Sequence, residues 1–189
     1  MKLFLAILLI FLTSQVNLFS QNLNTLKEKN GFKKYILGSD IRQYTDVAAM
    51  EPRVFGSDTM DHLYVGLDII KIGEAKISDI YFQTVDNKIC QILIMFDFSY
   101  FNRYDVLSLL EAAFGKVDKQ DKRNDAGFIN RHWSIDGIHL WYSYKNTEPD
   151  RRHILLYTSQ ELLNLYWEKE KIKNDARNKE YIRDAVKKF

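Results

Sequence analysis

Three features of the chain predict an α+β fold: an antiparallel sheet from two helix-plus-three-strand units, helices on one face, and a long charged C-terminal helix. Consecutive strand-like runs are separated by hairpin-length turns, which favours antiparallel pairing over parallel βαβ winding. The order of elements is strand, helix and three strands, helix and three strands, helix, so two units of similar order and length follow one another. The last segment carries acids and bases at helical spacing and few apolar residues beyond its start. With 189 residues, 46% hydrophobic and 28% charged, the chain has a globular balance that excludes a disordered protein.

Met1–Lys2, the ten-residue apolar run Leu3–Leu12 and the polar stretch Thr13–Asn17 read as a signal peptide, residues 1–20, cut after Ser20. A ten-residue helix is about 15 Å long, roughly half a bilayer core, and is too short to span it. The only cysteine, Cys90, lies far from that cut, which excludes a bacterial lipoprotein anchor. The expected address is periplasmic or secreted, with no membrane span in the mature chain. Residues 21–160 are expected to form a single domain, with tandem units at 32–98 and 102–159, and residues 161–189 a terminal helix.

In the first unit, Gln21–Asn30 is polar and expected to be loosely held, and Phe32–Leu37 reads as a strand stopped by Gly38. Ser39 and Asp40 are N-cap residues for a helix over Ile41–Met50, where Ile41, Tyr44, Val47 and Ala48 fall at helical spacing. Pro52 ends that helix, and Glu51–Asp61 is a loop with turn chemistry at Gly56-Ser57-Asp58. Strands follow over His62–Ile72 (broken at Gly66), Lys76–Val85 and Ile89–Phe98, joined by turns at Gly73-Glu74 and Asp86-Asn87-Lys88. The third is apolar on both faces and should be central.

In the second unit, Asn102 caps a helix over Arg103–Phe114 whose inward stripe is Val106, Leu109, Leu110 and Ala113, with Gly115 as its C′ glycine. Lys116–Ala126 is a charged loop. Strands over Phe128–Ile135, Ile138–Tyr144 and His153–Ser159 follow, the first two joined by Asp136-Gly137, a strong hairpin signal. From Glu161 the final helix starts with Leu162, Leu165, Tyr166 and Trp167 on an apolar side. Its second half is expected to be solvated, with charge pairs such as Asp175–Lys179 and Glu168–Lys171.

"ILGSDIRQYTDV" (strand, Gly, capped helix), "LLEAAFGKV" (helix with a Phe-Gly-Lys exit) and the two meanders after them resemble, as a layout, the small exported α+β proteins of the beta-lactamase-inhibitor-protein-like fold. The resemblance covers about Phe32–Ser159. It implies a protein-binding or envelope-associated module without catalysis, and no inhibitory loop of that family matches residue by residue, so no target is carried over.

The Asp136-Gly137 hairpin can be read face by face. Ile129, Trp133, Ile135, Ile138, Leu140, Tyr142 and Tyr144 form its core side. His132, Ser134, His139, Trp141 and Ser143 form the other side and are the candidate binding residues. His132 and His139 are diagonal neighbours within reach of each other, and His153 joins them only in one of two strand registers. Three imidazoles would make a zinc site; two make an ordinary solvated face, and no metal or cofactor is assigned. Trp141 is either covered by the last helix or exposed to anchor a partner.

Catalysis through Ser134 and His139 would need an orienting acid and an oxyanion loop, and the sequence carries no elbow motif. Glu148 and Asp150 flank Pro149 in a loop and read as solvation. Cys90, in an apolar run, reads as buried and inert. No Gly-rich phosphate loop is present. A net charge of +2, with acids distributed among the lysines of the tail, disfavours nucleic acid and membrane surfaces.

The leading expectation is therefore a non-catalytic exported interaction module, inhibitor- or immunity-like. Its partner would be a protein of the envelope or extracellular space, met by the sheet face or by the loops Glu51–Asp61 and Lys116–Ala126. The alternative is a metal-dependent or hydrolytic enzyme using the histidine-bearing face.

Overall fold

The structure is a computed structural model. It describes residues 24–55, 58–68, 70–97, 103–117, 121–123, 128–145 and 152–186. Residues 1–20, expected to be a signal peptide, Asn102 and the pair Glu148 and Asp150 lie outside the described residues.

A short helix α1 covers residues 24–29. Of the segment expected to be loose, residues 24–30 are instead anchored, because Leu26 is fully buried and Lys27 pairs with Asp136 at 2.6 Å. Two two-residue strands, β1 (Gly31–Phe32) and β2 (Tyr35–Ile36), form a tight hairpin where one longer strand was expected. The remaining strands are β3 (Val47–Phe55), β4 (Asp58–Tyr64), β5 (Lys71–Ile72), β6 (Ala75–Val85), β7 (Lys88–Phe96), β8 (Asp121–Arg123), β9 (Phe128–Ile135), β10 (Ile138–Lys145) and β11 (Arg152–Ser159). The longer helices are α2 (Arg103–Phe114) and α3 (Gln160–Val186).

The helix expected over Ile41–Met50 does not form. Asp40 does cap a turn, its Oδ1 accepting from the Arg42 backbone N–H at 3.0 Å, but the turn is a three-residue 3-10 segment, Ile41–Gln43. Tyr44 then turns extended, and its ring is held by the β1–β2 hairpin: its hydroxyl accepts from the Ile36 N–H and donates to the Lys34 carbonyl. Asp46 is drawn to the same place by the Tyr35 hydroxyl at 2.8 Å and Lys34 at 2.7 Å. A ten-residue helix is marginal by itself, and these tertiary contacts commit the chain to a strand. Pro52 sits within β3 because β3 is an edge strand whose register with β4 shifts between Ala49 and Arg53. The expected loop Glu51–Asp61 is thus largely a hairpin.

Strands β3 to β11 form a nine-stranded antiparallel sheet in the order β3-β4-β6-β7-β11-β10-β9-β8, with β5 paired to the first part of β6. Two four-strand meanders stand where two helix-plus-three-strand units were expected, with α2 before the second and a 3-10 turn before the first. β3-β4-β6-β7 meets β11-β10-β9-β8 along the β7–β11 seam, so the last strand of each unit is central. The charged stretch 116–126 contributes the short outer strand β8. Two-residue turns close β6–β7 at Asp86-Asn87 and β9–β10 at Asp136-Gly137, with all four residues at positive φ as such turns require.

The larger core lies on one face. Ile80, Phe82, Ile92, Ile94, Leu140, Tyr142, Leu155 and Tyr157 meet Leu26 of α1, Phe32 and Tyr35 of the hairpin, and Val106, Leu110 and Phe114 of α2. Leu109, expected inward, is half exposed. Helix α2 ends at Gly115, whose φ of 88° suits a C′ glycine and whose N–H returns to the Glu111 carbonyl. The buried Trp133 indole N–H donates to the Gly115 carbonyl at 2.7 Å, tying the helix exit to β9. Trp133→Phe is expected to keep the ring contact with Phe114 but leave that carbonyl unpaired, costing about 1–3 kcal/mol by denaturant unfolding.

A smaller cluster, Met60, Tyr81 and Leu93, lies on the opposite face, bordered by Met50, Phe55, Leu63, Met95, Ile154 and Leu156. All of these are strand residues; the helical residues of α1 and α2 belong to the first face. Helix α3 packs its first turns against β6, β7 and β11 and is pinned by Lys169 to Asp86 at 2.5 Å. Its residues 171–184 are solvent-exposed, as the charge pattern predicts. Among the described residues, no helix is long and apolar enough to cross a membrane.

Candidate functional site

The strand registers set out the second face as three rows. The middle row runs Leu63, Tyr81, Leu93, Leu156, Trp141 and His132, one residue from each of β4, β6, β7, β11, β10 and β9. A polar row beside it runs Gln83, Gln91, Thr158, His139 and Ser134. A third runs Met95, Ile154, Ser143 and Asn130. The five candidate binding residues, Trp141, His132, His139, Ser134 and Ser143, therefore share this face. Ser134 is exposed and the other four are half-buried.

At its β9–β10 end the face carries an aromatic cluster. The Trp141 indole lies flat against the His132 ring, with centroids 3.8 Å apart and planes within 8°. His132 Nε2 meets His139 Nδ1 at 2.9 Å across the diagonal of the hairpin. These two rings are nearly coplanar, 12° apart, with centroids separated by 5.1 Å. That separation is close to the nitrogen contact plus one ring radius on each side, so the rings meet edge to edge. Ser143 Oγ donates to Asn130 Oδ1 alongside.

His153 does not join them. It pairs with Tyr144 on the first face, is buried, and lies parallel to the Tyr144 ring at 5.8 Å. The register of β11 thus excludes the three-imidazole arrangement. Among the described residues, no group of three or more His, Cys, Asp or Glu side chains could hold a metal ion. Cys90 is fully buried, its thiol bonded to the Gln83 carbonyl, and burial pushes its pKa up to about 12, which makes it unreactive in the folded chain.

The polar row holds a feature that residue-by-residue reading missed. Gln83 is fully buried and neither side-chain amide atom has a partner among the described residues, while Gln91 donates to Thr158 Oγ1 and to Asp58 Oδ1, each at 3.2 Å. Burial raises the Asp58 pKa, its largest influence, against the bond from Gln91. A buried, unpartnered amide is a net cost. Gln83→Leu is accordingly expected to raise stability by about 1–2 kcal/mol, read as a higher denaturant midpoint with an unchanged slope. Alternation alone placed Gln83 and Gln91 on a sheet face; their burial depends on β11 and Asp58 arriving from far along the chain.

His62 was also not singled out. Its Nδ1 meets Asp61 Oδ1 at 2.8 Å, and Asp61 Oδ2 accepts from the Thr84 N–H and hydroxyl. Asp61 opens into a groove of about 280 Å³ between β3–β4 and α3, bordered by Pro52, Thr84, Tyr166 and Lys169. The groove's two lysines are engaged in ion pairs, Lys169 with Asp86 and Lys173 with Glu170. This arrangement ties α3 to the sheet. No signal in the sequence linked Asp61 to Thr84, because the two strands' register was open.

No protein-family model, curated protein or solved structure matches the chain.

Proposed function

We propose that the chain is an exported, non-catalytic interaction module, inhibitor- or immunity-like, that docks on a protein of the envelope or extracellular space through the sheet face bearing Trp141. The observation that carries this reading is the half-buried Trp141–His132 stack at the end of an apolar row that crosses six strands. Aromatic anchors flanked by hydrogen-bonding groups are what protein interfaces use, with the aromatic carrying the energy and the polar rim the orientation. Ser134, Ser143 and His139 supply such a rim.

The non-catalytic part of the proposal rests on the same geometry. His139 Nδ1, the position an orienting carboxylate would occupy in a Ser-His-acid set, is met by the second imidazole instead. The test is affinity capture from native envelope extract, with the Trp141→Ala chain as the comparison. One stoichiometric protein captured by the parent and lost at least tenfold in the variant is the expected result. Capture that is equal for both chains, or none for either, overturns the reading.

A further inference from the structure

We propose that His132 and His139 form a two-coordinate site for a monovalent, soft d10 metal ion such as Cu(I), held between His132 Nε2 and His139 Nδ1. This goes beyond the docking reading and does not depend on it. The two nitrogens face each other in nearly coplanar rings, 2.9 Å apart, so their in-plane lone-pair directions converge on one line. A tetrahedral ion such as Zn(II) needs ligand directions that meet at a wide angle and two further donors. Among the described residues the face does not supply these: His153 is on the opposite side of the sheet, and no third His, Cys, Asp or Glu makes a metal-holding group with the pair. Imidazole is a copper ligand, and a linear unit asks for two nitrogens alone.

With metal–nitrogen bonds of about 2.0 Å, a linear unit separates the nitrogens by about 4 Å, so the rings must part by about 1 Å. Both are half-buried side chains at a surface, where rotation about the side-chain bonds allows this. One ring donates the proton that now lies between the nitrogens. With both rings neutral, binding moves that proton to the far nitrogen of the ring that carries it, and the ion is taken up with no net proton release. Trp141, flat against His132 at 3.8 Å, covers one face of the unit and stabilises its added positive charge. Cys90, the chain's one thiol and the usual competitor for such an ion, is fully buried on β7.

The test uses Ag(I), an air-stable ion of the same charge and geometry, added to the full folded chain, with stoichiometry from native mass spectrometry and side-chain ¹⁵N shifts from NMR. The expected result is one silver per chain and shifts at His132 Nε2 and His139 Nδ1. Binding should be at least tenfold weaker in each of His132→Ala and His139→Ala, and unchanged in Cys90→Ala and His62→Ala. Zn(II) should bind at least tenfold more weakly than Ag(I). Absence of one-to-one binding, binding that survives His139→Ala in a chain with parent-like circular dichroism, or Zn(II) binding as tight as Ag(I), overturns the proposal.

Discussion

Phe82→Ala is expected to cost about 3–5 kcal/mol of folding free energy, the range for truncating a fully buried aromatic ring. Phe82 is completely buried on β6, and its ring meets the edge of Tyr35 at 5.0 Å. Tyr35 in turn contacts Tyr44 and Tyr64, so the ring cluster joins the β1–β2 hairpin to the sheet. The Tyr35 hydroxyl is bonded to Asp46, and burial raises its pKa far above the ordinary tyrosine value. Removing Phe82 therefore leaves a cavity beneath the hairpin, at the ring contact that joins Tyr35 to β6. Equilibrium urea unfolding checks this, with a fall in midpoint at constant slope as the expected signature.

Leu155→Pro is expected to abolish cooperative folding. Leu155 is fully buried at the middle of β11, paired with Ile94 of β7 on one side and Tyr142 of β10 on the other. Proline removes the backbone donor and imposes its ring, and in a strand flanked on both sides the lost donor cannot face water. Because β7–β11 is the seam between the two four-strand units, the damage falls where they join. Loss of the sharp thermal transition and of near-ultraviolet dichroism is the expected readout. A folded variant within about 1 kcal/mol of the parent would show that the seam is not the structural centre.

Much of this architecture was readable in the sequence where local chemistry decides it. Asp136-Gly137 dictates a two-residue hairpin, the chain reverses within the Asp86-Asn87-Lys88 turn with Lys88 already in β7, and Gly115 dictates the exit of α2. The two-sided apolar run of β7 predicted a central strand, and β7 lies between β6 and β11. The alternation of β9 and β10 separated Trp133, Leu140 and Tyr142 from His132, His139 and Trp141, and the two imidazoles meet as their diagonal placement allows.

What was not readable depended on distant partners. Residues 41–50 have helical spacing, yet Tyr44 and Asp46 answer to the β1–β2 hairpin and Val47 onward to β4. His153 could have faced either way until the β10–β11 register fixed it against Tyr144. The closure of Gln83 and Gln91 against Asp58 and Thr158, and the flat contact of Trp141 on His132, arise from side-chain packing that no periodicity encodes.

The β9–β10 end of the second face, around Trp141, is proposed to be a working surface, distinct from the buried Met60, Tyr81 and Leu93 cluster on the same face. The measurement that tests it most directly is the unfolding free energy of Trp141→Ala set beside that of Phe82→Ala on the opposite face. A loss of about 1–2 kcal/mol is expected for Trp141→Ala, the value of a half-buried ring stacked on His132, with cooperativity intact. A loss as large as that for Phe82→Ala would place Trp141 in the core and contradict the proposal.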